Sequence, residues 1–104
     1  MPKMPSQYTG IRGRFQDVIA ALEVLGKTTK KAGPLDRKTS ELVQIAAAAA
    51  IRSEGSVHSH TRRALAAGAS PKEIRHAIVL LMSTIGFPTV SAALSWADDV
   101  LEKK

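Results

Sequence analysis

The chain has 104 residues, of which 44% are hydrophobic and 4% aromatic; 15 Lys and Arg stand against 9 Asp and Glu for a net charge of +6, and cysteine is absent. This length holds one domain, and a core of Ala, Leu, Ile and Val suits closely packed helices better than a sheet. The missing thiols exclude disulfides, thiolate metal ligands and thiol redox cycles. The longest apolar run, Ile45 to Ile51, is far short of the roughly 20 residues that span a bilayer.

Residues 1–10 lack the apolar stretch of a signal peptide and read as a flexible N-terminal segment of a cytoplasmic protein. Phe15, Val18, Ile19, Leu22 and Leu25 recur at helical spacing, which predicts a first helix from near Gly10 to Gly26. A basic connector with Gly33 and Pro34 follows. Its cations, Lys27, Lys30, Lys31, Arg37 and Lys38, are opposed only by Asp36, but no aromatic residue lies among them to stack a base, so neither a nucleic-acid nor a membrane partner is expected. Asp36 caps a second helix that runs through Leu42, Val43, Ile45 and the alanines Ala46 to Ala50, whose small side chains admit a close neighbour.

Gly55 is expected to break the chain before a third helix that carries His60 and Leu65 and stops at Gly68. Ser70, Pro71 and Glu73 then spell a helix start with a capping box. The fourth helix contains Ile74, Ala77, Ile78, Leu80, Leu81 and Ile85 and is apolar on all sides, which predicts a central core helix ended by Gly86-Phe87-Pro88. Val90, Ala93, Leu94, Ala97, Val100 and Leu101 mark a fifth. The expected fold is an all-α bundle of about five helices in a single domain over residues 1–104. Its thin core favours association with copies of itself.

The polar stretch RSEGSVHSH, Arg52 to His60, interrupts two alanine-rich runs. On a continuous helix Ser53, Ser56 and His60 share a face while His58 points elsewhere. The plainest reading is a polar junction, with Ser53 or Ser56 capping the third helix and His60 hydrogen-bonded between helices. His58, His60, His76, Glu41 and Glu54 supply metal-ligand atom types, but His-x-His suits a strand and no helical His pair at i, i+4 exists, so no metal is assigned. A Ser56–His60 nucleophile pair has helical spacing but no sign of an oxyanion hole. A helix-turn-helix around Ala64, Gly68 and Ile74, with Lys72, Arg75 and His76 facing DNA, is undercut by the continuously apolar Ala77 to Met82.

From Leu35 to Leu101 the sequence resembles the carboxymuconolactone decarboxylase family, which also contains the alkyl hydroperoxide reductase D proteins. The resemblance rests on LDRKTSELVQIA (Leu35 to Ala46), on HTRRALAAGASPKEI (His60 to Ile74) and on the Gly86-Phe87-Pro88 turn before an alanine-rich helix. It implies an all-helical fold and trimers or hexamers. In the peroxidase branch a helix glutamate and a Cys-x-x-Cys-x-x-x-His motif form a proton relay around a redox disulfide. Glu41 and His60 match the glutamate and the histidine, whereas the cysteine positions fall on Ser53 and Ser56.

The decarboxylase branch, as the resemblance implies, removes carbon dioxide from a carboxylated muconolactone in aromatic-compound breakdown without a metal or organic cofactor. On that reading His60 is the acid/base and Glu41 orients it. Arg62, Arg63, Arg37 or Lys38 hold the carboxylates of a small anionic substrate, and Ser53 and Ser56 hydrogen-bond a substrate oxygen. Because a short link joins the second and third helices, Glu41 and His60 are expected to meet in one pocket. A serine hydroxyl neither forms a disulfide nor attacks a peroxide as a thiolate does. Purified protein is therefore expected to turn over an organic hydroperoxide, in a reductant-coupled assay, no faster than a heat-treated control; a rate above that control contradicts this reading of the chemistry.

Overall fold

The helix signals become seven helical segments among residues 6–102, which the computed structural model describes, and no strand occurs among them. Residues 1–5, half of the expected N-terminal segment, lie outside the described residues, and residues 6–10 begin the first helix, α1 (Ser6–Arg14). The chain divides between Leu35 and Asp36 into two compact units.

The first unit holds α1 and α2 (Gln16–Lys31). The single helix expected from Gly10 to Gly26 is thus two helices. Phe15, with φ −130° and ψ 57°, leaves helical geometry between them. Gly26 does not stop α2, because an interior glycine costs only about 1 kcal/mol relative to alanine. The helix runs on to Lys30 and Lys31 in its last turn, where cations complement the helix dipole. Ile19 is buried, while Val18, Leu22 and Leu25 on the same helix are exposed.

The second unit carries α3 (Arg37–Ala50), α4 (Glu54–Ala66), α5 (Pro71–Val79), α6 (Met82–Ile85) and α7 (Phe87–Leu101). Asp36 caps α3 by accepting from the Thr39 N–H at 2.7 Å. The α5 capping box closes both ways, the Ser70 hydroxyl accepting from the Glu73 N–H and the Glu73 carboxylate from the Ser70 N–H. Ile45, Val57, Ala64, Ile74, Ile78, Val90, Ala93 and Ala97 form a continuous buried core. Alanines at Ala48, Ala49, Ala64 and Ala93 let α3, α4 and α7 approach closely. No described helix is long and apolar enough to cross a membrane.

Two expectations are corrected here. The break between the second and third helices lies at Ile51 to Ser53 rather than at Gly55, which sits in the first turn of α4. Arg52 takes the left-handed conformation with φ 57°. The Arg52 N–H then bonds Ala49 O and the Ser53 N–H bonds Ala48 O, a Schellman closure usually made with glycine. A left-handed non-glycine residue costs roughly 1–3 kcal/mol, and the Arg52 guanidinium is held in place by donating to Thr89 Oγ1 at 2.8 Å.

The fourth helix, expected to be covered on all sides, buries Ile74 and Ile78 only, and it tightens at Leu80 and Leu81 into α6 through a Leu81 N–H to Ile78 O bond of 3₁₀ type. Val79 and Met82 are partly open, and Leu80 is 61% exposed. Within the second unit the helices packed against α5 are α3, α4 and α7. The turn after α6 needs glycine, since Gly86 has φ 87° and ψ 162°.

The Asp36 carboxyl is held below its ordinary value of 3.8, chiefly by the Thr39 backbone N–H, and that of Glu73 below 4.5, chiefly by the Ser70 backbone N–H and then by Lys38. Folded values below the unfolded ones mean that these contributions are present above the ordinary values and are lost as pH falls through the folded ones. Urea midpoints are expected to drop on acidification below about pH 4.5, and to drop less in Glu73→Gln; parallel curves for the two proteins contradict the assignment.

Candidate functional site

Glu41 lies in the second turn of α3 on the same side as Ile45 and Ala48, and so faces the packed interior rather than solvent. The three-residue link at Ile51 to Ser53 returns the chain antiparallel along α3. His60, in the middle of α4, thereby comes level with Glu41 despite nineteen intervening sequence steps. The His60 Nδ1 to Glu41 Oε1 distance is 2.8 Å, so the expected meeting of the two side chains is present. Glu41 is 1% exposed and the His60 side chain 18%. Protons therefore reach this pair through the ring, not through the carboxylate.

A carboxylate can only accept, so the contact fixes the hydrogen on Nδ1 and leaves Nε2 to exchange a proton with a bound molecule. Ser53 is the N-cap of α4, its hydroxyl accepting from the Ser56 N–H at 3.3 Å. Ser56 stands one turn before His60, and both serines are half-buried. Helical spacing aligns Ser53, Ser56 and His60 along one flank of α4.

The expected cations separate. Arg63, three residues after His60, falls on the His60 flank and is exposed. Arg37, one turn before Glu41, is also exposed and lies at the same level as Arg63, because antiparallel helices pair residues of constant number sum. Lys38 is turned to α5, its Nζ donating to Glu73 Oε2 at 2.9 Å. Arg62 is half-buried on the opposite flank, one turn after His58.

Two polar atoms near the pair went unread in the sequence. Gln44 Oε1, on the turn after Glu41, and Thr61 Oγ1, on the residue after His60, are buried with no hydrogen-bond partner. Such orphans are rare in folded proteins, where buried polar atoms are ordinarily bonded to protein or to ordered water. Gln44 between Val43 and Ile45, a polar residue inside an apolar run, was the available signal. Surface clefts around α1 and α2, lined by Thr9, Arg12, Gln16, Ile19 and Glu23, hold none of the expected site residues.

His58 diverges from His60 as its spacing predicts. Its Nε2 lies 2.9 Å from Asp99 Oδ2 on α7, on the other side of α4. Asp99 played no part in the sequence reading, because nothing local connects residues 41 positions apart.

Comparison with known proteins places this geometry in a family. Residues 16–99 match the family model described as the carboxymuconolactone decarboxylase family. A crystal structure of a carboxymuconolactone decarboxylase family protein from Legionella pneumophila, in its apo form, superposes with a TM-score of 0.79 at 23% identity, covering 94% of this chain and 87% of that one. That likeness shows the fold. No curated protein matches significantly.

Proposed function

This chain belongs to the carboxymuconolactone decarboxylase family, and from that premise we propose that it is a cofactor-free lyase acting on a small carboxylated lactone or related ring acid in aromatic-compound breakdown. The single observation that carries the reading is the buried Glu41 carboxylate 2.8 Å from a partly accessible His60 ring. In the reaction the bond between the ring carbon and its carboxylate breaks, carbon dioxide leaves, and the electron pair left on carbon takes one proton. His60 Nε2 delivers that proton and recovers it from water, while Glu41 holds Nδ1 and the ring plane fixed. Arg37 and Arg63 bind the substrate carboxylates, and Ser53 and Ser56 hydrogen-bond the lactone oxygens.

A second reading keeps the scaffold as a small-molecule binding or assembly module. Serine at both positions where the peroxidase branch carries cysteine removes that activity, and family membership alone supports this reading as it does the lyase. Release of carbon dioxide from a panel of carboxylated lactones separates the two. If the lyase reading holds, His60→Ala abolishes turnover, Glu41→Gln lowers it with the fold intact, and Ser56→Ala costs less than either. A binding module gives no turnover in the parent protein, and Glu41→Gln then chiefly lowers stability, by about 1–3 kcal/mol.

The family resemblance and the partly open apolar residues Val79, Leu80 and Met82, together with Phe87 at 66% exposure, support a homo-oligomer, a trimer or hexamer. Light scattering is expected to give a multiple of the 11.1 kDa chain mass. A monomer mass throughout the micromolar range removes the assembly from the proposal.

A further inference from the structure

Away from the Glu41–His60 pair, one group of three potential metal ligands converges among the described residues. Glu54 in the first turn of α4, His58 one turn later and Asp99 on α7 bring their ligand-type atoms within 4.8 Å of one another. We propose that these three side chains bind one divalent transition-metal ion of the zinc type, joining α4 to α7.

The donor set favours this class of ion. One imidazole nitrogen and two carboxylate oxygens match zinc and its neighbours, whereas calcium and magnesium prefer all-oxygen shells. Tetrahedral ligands at about 2.0–2.2 Å from an ion stand about 3.4 Å apart. His58 Nε2 and Asp99 Oδ2, now 2.9 Å apart, separate by only about half an ångström to admit it. Glu54, exposed and one helical turn from His58, swings in to complete the set.

Charge points the same way. The two carboxylates, Glu54 and Asp99, supply negative charge that a dication neutralises, in a chain whose net charge is +6. One ring nitrogen of His58 answers only one of these carboxylates at a time. The platform is firm, because α4 and α7 pack through Val57, Ala64, Val90, Ala93 and Ala97, all fully buried. The neighbouring anions Asp98 and Glu102 are drawn instead to Arg75, at 3.0 and 3.5 Å. Three protein ligands leave one position for water or an exchangeable anion.

The site lies on the flank of α4 opposite His60 and does not rest on the lyase reading. The test uses the full chain freed of any affinity tag, with zinc chloride as the probe, followed by isothermal titration and thermal unfolding. Saturable binding of one ion per chain is expected, with a rise in Tm of about 5 °C or more at saturation, and no rise with magnesium at the same concentration. His58→Ala and Asp99→Asn are each expected to weaken binding by about tenfold or more, with Glu54→Gln in the same direction and the distant His76→Ala without effect. The metal-induced shift is read rather than the starting Tm, so loss of the His58–Asp99 ion pair does not confuse the result. Asp99→Asn changes one exposed atom and keeps the test open should His58→Ala fold poorly. The proposal is overturned if zinc fails to saturate at one site, or if folded Asp99→Asn binds it as the parent does.

Discussion

A carboxylate buried to 1% in an alanine-rich helix bundle is tolerable only with a bonded partner, and the contact between Glu41 and His60 meets that demand. Leaving a buried charge uncompensated costs several kcal/mol, a large share of the stability a domain of this size possesses. The second unit is organised around that constraint. Ala48 and Ala49 on α3 and Ala64 on α4 keep the two helices close enough for a short side chain to meet a ring, and the Schellman closure at Arg52 sets the direction of return. The polar pair in turn fixes how α4 is rotated on α3, which an alanine surface alone, smooth and uniform, leaves weakly specified.

Around this pair the remaining polar links are peripheral, and solvent-facing ion pairs among them are individually weak. Lys38 to Glu73 joins α3 to α5, Arg75 to Asp98 joins α5 to α7, and Arg52 to Thr89 joins the link to α7. Their value is orientational. They hold three helices and the link in register around a core in which large side chains are few, and they draw Lys38 and Arg75 away from any part in binding a ligand.

Legibility in the sequence followed the range of the physics. Caps are local hydrogen bonds between residues three apart, so Asp36 and Ser70 were readable directly, as were the helix stops at Gly68 and Gly86, both of which take positive φ. Gly55 misled because glycine signals a turn only when the backbone needs its freedom, and here an arginine carries the positive φ while Ser53 supplies the cap. The division of the fourth helix at Leu80 was unreadable, since apolar periodicity persists through it. Glu41 and His60 stood among several polar candidates until the family resemblance paired them; the short link between their helices then led to the expectation that they meet. Asp99 gains its significance from His58 in another helix, for which a single sequence holds no signal.

The link at Ile51 to Ser53 also bears on which changes of length the chain can absorb. Surface connections ordinarily accept insertions at little thermodynamic cost. Here the link sets which residue of α4 stands beside each residue of α3. A residue gained or lost, if it passes into the helix as a shift of register, turns α4 by about 100° and moves it by about 1.5 Å. That rotation carries His60 off Glu41 and brings Ser59 or Thr61 opposite it in its place. The count of residues in this exposed turn is therefore constrained as tightly as the identity of the buried ones, although none of its side chains enters the core.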